Sequence, residues 1–170
     1  MAKLERIVIL SVTAGTGHMR AALAIESAIL ENHPQAEVTV LDTFRFTSPL
    51  LEKAVLGSYM EMLKLVPVFY GYLYRQAERG QPLSGFVKNE FNRLIHKFSA
   101  NKLMQFLKEK DPQVIICTHP FPLGLLSFQR RQGRLPALSI GVLTDFTVHA
   151  YWVFPEVDGY MVASESLRCV

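Results

Sequence analysis

Cysteine is scarce in this chain. Cys117 and Cys169 are the two it has, too few for a disulfide framework, which excludes a small secreted scaffold held by bridges. Cys117 falls inside an apolar, strand-like run and reads as a small buried hydrophobe in a reducing cytoplasm. Long hydrophobic runs are missing as well. None approaches the ~18 uninterrupted apolar residues of a membrane span, so any membrane contact is expected to be peripheral. No secretion signal is evident, because Lys3, Glu5 and Arg6 lead into a strand-length run and then glycines. Charge of one sign is not in excess either. The 18 Lys and Arg against 15 Asp and Glu leave a net charge of +3, too small to imply nucleic acid, although clustered it would favour an anionic surface.

Several catalytic signatures are also absent. No Gly-x-Ser-x-Gly occurs, so the serine-hydrolase elbow is excluded. No Gly-Lys-Ser/Thr follows the glycine loop, and Arg20 stands where a dinucleotide fingerprint needs its third glycine. NAD and ATP are therefore disfavoured. His18, His119, His149 and Asp145 lack the short paired spacing of common zinc sites. No metal or organic cofactor is expected.

What is present is a foldable core. The chain has 170 residues, 49% hydrophobic and 19% charged, which suits one domain able to bury roughly 68–70% of the surface its unfolded form exposes. Short, nearly continuous apolar runs at 6–11, 37–41, 114–118, 138–143 and 159–163 predict strands covered on both faces. Between the first two, Ala21, Leu23, Ala24, Ile25, Ala28 and Ile29 predict a helix with a broad apolar face, stopping near Asn32-His33-Pro34. The stretch 48–110 has helical periodicity and no convincing strand. The whole pattern predicts a doubly wound α/β domain over 1–170, with a mainly parallel sheet and a helical insertion at about 48–110.

Three loops at strand ends carry residues suited to chemistry. In Gly15-Thr16-Gly17-His18 the glycines permit a sharp turn and close ligand approach, the helix start favours anions, and the imidazole can exchange a proton near neutral pH. An ordinary tight turn is the alternative. In Cys117-Thr118-His119-Pro120 the proline stiffens the loop and His119 either presents its ring to a ligand or caps a helix. In the third loop Asp145 could orient a histidine across the cleft, while His149 and Trp152 could grip a sugar or lipid headgroup; a purely structural loop is the alternative. Asp42, after the second run, is either a mimic of a ribose-binding acid or a turn residue. In the insertion, Tyr70 and Tyr72 beside Lys88, Arg93 and Lys97 suit an anionic membrane interface, or else pack in a core.

Taken in order, Ser-Val-Thr-Ala-Gly-Thr-Gly-His, Ile-Ile-Cys-Thr-His-Pro-Phe-Pro, Leu-Thr-Asp-Phe-x-x-His-x-x-Trp and Pro-Glu-Val-Asp-Gly-Tyr-Met-Val-Ala-Ser-Glu resemble the amino-terminal domain of monogalactosyldiacylglycerol synthases and processive diacylglycerol glucosyltransferases. The resemblance covers essentially the whole chain. It implies a Rossmann-like domain of the two-domain GT-B arrangement, acting at the inner face of the cell membrane, with a sugar passing from a UDP-sugar to a diacylglycerol-like hydroxyl with inversion and without a bound catalytic metal. By position it implies His18 as the general base. Gly15 and Gly17 would face a diphosphate or anionic lipid, and His119, Asp145, His149 and Trp152 would shape the acceptor pocket. The sequence ends just after its last strand, so the carboxyl-terminal donor domain is expected to be absent and UDP-sugar to bind only when one is supplied.

Overall fold

The structure, a computed structural model, describes residues 5–13, 16–46, 101–145 and 152–167. Most of the helical insertion expected at 48–110 therefore lies outside the described residues. Five parallel strands form one sheet: β1 (Arg6–Ser11), β2 (Glu37–Asp42), β3 (Val114–Cys117), β4 (Leu138–Val142) and β5 (Gly159–Met161), in the order β2-β1-β3-β4-β5. Among the described residues three α-helices accompany them: α1 (Thr16–Asn32), α2 (Asn101–Lys110) and α3 (Pro120–Arg131).

Strand pleating sorts the apolar side chains onto two faces. Ile7, Ile9, Val114 and Ile116 join Ala22 of α1 on one face. Val8, Leu10, Ile115 and Cys117 join Leu103 and Leu107 of α2 and Leu123 and Leu126 of α3 on the other. Helices thus cover both sides of the sheet, the Rossmann-like three-layer arrangement expected from the alternating pattern. Each fully buried leucine in those layers contributes about 1.5–3 kcal/mol relative to exposure. Burial also pushes the Cys117 thiol well above its ordinary range, so this cysteine behaves as an apolar core residue.

Two expectations are corrected by position. Coverage on both faces holds for the central strands β1 and β3, whereas β4 alternates and the edge strand β5 leaves Met161 53% exposed. An edge strand has a neighbour on one side only. The apolar face of α1 is also narrower than composition implied. Ala22 is buried and Met19, Ile25 and Ile29 pack on the sheet, but Leu23, Ala24 and Ala28 face outward. Successive residues turn through about 100° on a helix, so Leu23 points away from the sheet that Ala22 touches. The helix stops where proline was expected to stop it, with the His33 N–H donating to the Ile29 carbonyl at 2.7 Å.

Gly141 marks a close packing point in β4. A Cβ there would meet Leu123 Cδ2 at 2.8 Å and Tyr160 Cδ1 at 2.9 Å. The tyrosine ring cannot swing aside freely, because its hydroxyl accepts from the Phe154 N–H and donates to the Phe154 carbonyl. Gly141→Ala is therefore expected to destabilise the protein by about 1–3 kcal/mol through overpacking, readable as a lower urea midpoint; an unchanged midpoint would show that the ring yields. Nearby, Asp158 ties β5 to β4. Burial alone would raise its carboxyl, but hydrogen bonds from the Ser139 N–H and from Arg130 outweigh that and hold it below the ordinary carboxylate range.

The chain leaves β1 through α1 to reach β2 on one side, and later enters β3 on the other side of β1. At such a switch the loops after the two strands part and open a crevice at their carboxyl ends, where open α/β sheets bind ligands. β3 stops at Cys117 and β4 at Val142. Thr118, His119, Thr144 and Asp145 therefore belong to the loops at that end.

Candidate functional site

His18 sits in the first turn of α1, half-buried, and reaches across the carboxyl ends of the strands. Its Nδ1 lies 3.0 Å from the Thr118 carbonyl oxygen and 2.7 Å from Thr144 Oγ1. The Thr144 hydroxyl donates to the same Thr118 carbonyl at 3.2 Å. A carbonyl oxygen only accepts, so the histidine proton is assigned to Nδ1, shared between the carbonyl and the threonine oxygen. Nε2 makes no hydrogen bond with the described residues. In the neutral ring it holds the basic lone pair.

Thr118 reinforces this frame from below. Its hydroxyl is bonded to Ser11 Oγ at 2.9 Å and donates to the His18 carbonyl at 3.0 Å, while its N–H donates to the Leu10 carbonyl. The ends of β1, β3 and β4 and the start of α1 are thereby tied together by short polar side chains. Ser11, Thr118 and Thr144 escape a reading that looks for ionisable groups. Their one signal in the sequence is that each is a small hydroxyl residue where an apolar run ends.

His119 stands beside His18, ring centroids 4.6 Å apart and planes at 84°. It is the N-cap of α3: its backbone is extended, Pro120 follows at the first helical position, and Nδ1 accepts from the Phe121 N–H at 3.0 Å. The capping alternative thus holds for His119, and the cap assigns its proton to Nε2 when the ring is neutral. The two adjacent imidazoles are therefore held in opposite tautomers, one by a carbonyl and one by a backbone N–H.

Asp145 accepts from the indole Nε1–H of Trp152 at 2.6 Å. Trp152 is 0% exposed and packs in the core with Leu126 and Leu143. The expectation that Trp152 grips a headgroup is corrected: its ring is fully covered, and its one polar atom is engaged by the Asp145 carboxylate. His18 Nδ1 is met by Thr144, the residue before Asp145. Asp42 is a turn residue rather than a ribose ligand. Its two oxygens accept from the Phe44 N–H at 2.9 Å and the Thr13 hydroxyl at 2.5 Å. Gly17 has no positive φ and an added Cβ there would meet open space. The backbone does not need glycine to turn at this point, and what the missing side chain leaves is room.

A sequence model of the monogalactosyldiacylglycerol (MGDG) synthase family matches residues 18–169 of this chain. The chain belongs to that family.

Among curated proteins, processive diacylglycerol beta-glucosyltransferases are similar to this MGDG synthase family member. The one from Bacillus subtilis (strain 168) is 26% identical over 164 residues, 96% of this chain and 41% of its own length. The Bacillus licheniformis protein is 26% identical over 164 residues, 96% of this chain and 40% of its own. The Bacillus cereus (strain 03BB102) protein is 26% identical over 172 residues, 100% of this chain and 42% of its own. The chain thus spans about two-fifths of the length of these relatives. The family match includes His18, Thr118, His119, Thr144, Asp145 and Trp152, and begins just after Gly15 and Gly17. Gly15, His149, Tyr70, Tyr72, Lys88, Arg93 and Lys97 lie outside the described residues. Among the described residues no helix is long and apolar enough to cross a membrane, and no three His, Cys, Asp or Glu side chains are grouped to hold a metal.

Proposed function

We propose that this chain is the acceptor-lipid and membrane-binding domain of an inverting glycosyltransferase that moves a sugar from a UDP-sugar to diacylglycerol in glycolipid synthesis, with His18 as general base. The single observation that carries the proposal is the fixed His18 ring, whose Nδ1 is engaged by Thr118 and Thr144 while Nε2 makes no hydrogen bond with the described residues. Membership of the MGDG synthase family and the diacylglycerol named for the relatives support the choice of acceptor.

An alcohol is a poor nucleophile at neutral pH. In the proposed step its oxygen forms a bond to the anomeric carbon from the face opposite the leaving group. The carbon–oxygen bond to the diphosphate breaks, its electron pair departs with UDP, and the alcohol proton passes to His18 Nε2. Because Nδ1–H stays bonded to Thr118 and Thr144 throughout, accepting that proton requires no rearrangement of the ring. A positioned base of this kind contributes typically ~10²–10⁴-fold. Asp145, anchored by Trp152, and His119, anchored by the α3 cap, form part of the acceptor pocket with His149. The space above Gly17, together with Gly15, faces the anionic part of a ligand. No role is assigned to a metal or organic cofactor, or to nucleic acid.

The remaining length of the relatives supplies, in this reading, a GT-B donor half that binds the UDP-sugar. The chain acts as a peripheral protein on the cytoplasmic face of the membrane, docking through Tyr70, Tyr72, Lys88, Arg93 and Lys97. The test mixes the purified chain with the carboxyl-terminal part of the Bacillus subtilis relative on vesicles of diacylglycerol and anionic lipid, then supplies UDP-glucose or UDP-galactose. Glycolipid is expected only when both parts are present. UDP-sugar turnover by the 170-residue chain alone would refute the division of labour, and vesicle binding without transfer by the mixture would favour a non-catalytic module. Binding should weaken as salt rises; salt-independent docking would remove the lysine and arginine contribution.

A further inference from the structure

We propose that Thr144 is a positioning residue for His18: its hydroxyl, together with the Thr118 carbonyl, holds the imidazole in the Nδ1–H tautomer and so makes Nε2 the proton-exchanging atom. The inference rests on the reading of His18 as the base, but its geometry stands independently. Histidine in water favours the opposite tautomer, with the proton on Nε2. Something in the fold must therefore select Nδ1–H, and two nitrogen–oxygen distances and one oxygen–oxygen distance identify it.

Proton counting makes the case. The Thr118 carbonyl has no proton to give, and two donors converge on it: His18 Nδ1 at 3.0 Å and the Thr144 hydroxyl at 3.2 Å. The threonine has one proton, and with that proton on the carbonyl its oxygen offers a lone pair to Nδ1–H at 2.7 Å. All the polar atoms are then satisfied. In the Nε2–H tautomer the Nδ1 lone pair would oppose the carbonyl lone pairs at 3.0 Å. The single threonine proton would then have to abandon one of its two acceptors. The imidazolium, protonated on both nitrogens, keeps the same three contacts. The arrangement therefore suits both states of a base cycling at Nε2 and penalises the one state that cannot act there.

Thr144 is well placed for this work because its backbone is anchored. Leu143 beside it is buried in the core, and the Leu143 N–H donates to the Met161 carbonyl at 2.9 Å, continuing the β4–β5 pairing. His18 is fixed at its other end by the first turn of α1 and by Thr118 Oγ1 on its carbonyl. The contact joins residues 126 apart in sequence, so it ties the start of α1 to the loop after β4.

The experiment uses the 170-residue chain with ¹⁵N-labelled histidine and long-range proton–nitrogen spectra, which separate a protonated ring nitrogen from one bearing a lone pair. In the native protein His18 Nδ1 is expected to be protonated and Nε2 not. Thr144→Val keeps the shape and removes the hydroxyl, and should raise the Nε2–H fraction of His18 by roughly tenfold, the worth of one hydrogen bond. Thr144→Ser should restore the native spectrum. In the reconstituted transfer assay the valine variant should lose kcat in proportion to the fall in its Nδ1–H fraction, with little change in acceptor KM, and the serine variant should recover it. A native His18 with its proton on Nε2 would overturn the proposal without any variant. So would a folded valine variant whose tautomer and kcat are unchanged. If the tautomer results hold while His18→Ala leaves transfer intact, the base assignment falls and the positioning role of Thr144 remains.

Discussion

His18→Ala is expected to lower sugar transfer in the reconstituted system by roughly 10²–10⁴-fold while leaving the fold in place. The chemical part of the effect follows from removing the group that takes the acceptor proton as the new glycosidic bond forms. The structural part should be small. His18 is half-buried, and on its removal the Thr144 hydroxyl keeps the Thr118 carbonyl as its partner. The backbone hydrogen bond from the Thr118 hydroxyl to residue 18 also survives, because it uses the carbonyl rather than the imidazole. The variant should therefore show a native far-ultraviolet spectrum and a urea midpoint near that of the parent. Transfer that does not depend on residue 18, measured with the donor half present and both variants folded, would sink the assignment of the base.

Trp152→Ala is expected to have the largest effect on stability, about 3–5 kcal/mol. The indole is 0% exposed, and its deletion leaves a large cavity beside Leu126 and Leu143. It also deprives the Asp145 carboxylate of a hydrogen bond made at 2.6 Å. A domain of this size is typically stable by only about 5–15 kcal/mol, so the alanine variant will have a much reduced urea midpoint or will not accumulate folded. Trp152→Phe separates the two contributions. It retains most of the apolar volume and removes the indole donor, and should cost about 1–3 kcal/mol for the carboxylate left short of a partner. If the phenylalanine variant matched the parent in stability, the indole–carboxylate bond would have no energetic role, and the placement of Asp145 would have to come from its other contacts.

Trp152 also illustrates why part of the site was illegible in the sequence. Its ring has an apolar body and a polar edge, and that chemistry suits either a ligand platform or a core residue with one buried hydrogen bond. Composition cannot separate the two, because the difference is whether Leu126, Leu143 and their neighbours cover the ring. His119 raised the same ambiguity, and the Phe121 N–H placed it as a cap. The strands were legible for the opposite reason. Runs such as Ile7–Leu10 and Val114–Cys117 are apolar at every position, and their position in the middle of a parallel sheet demands that of both faces. Apolar content alone does not tell which side of α1 meets the sheet, and Leu23 faces outward.

By itself, then, the sequence determined the succession of the described strands and helices along the chain and the family to which the chain belongs, while the switch after β1 and β3 came from the sheet order. The succession and the family are encoded locally, in hydrophobic runs, in Pro34 and Pro120, and in motifs read along the chain. Tertiary structure alone decided which oxygens His18 Nδ1 meets, that Thr144 is one of them, and that Trp152 lies inside the core. Each of these depends on hydrogen bonds or packing between residues far apart in the chain, such as His18 with Thr118 and Thr144. Tautomers and burial are set by what lies opposite in space, and no local pattern records that.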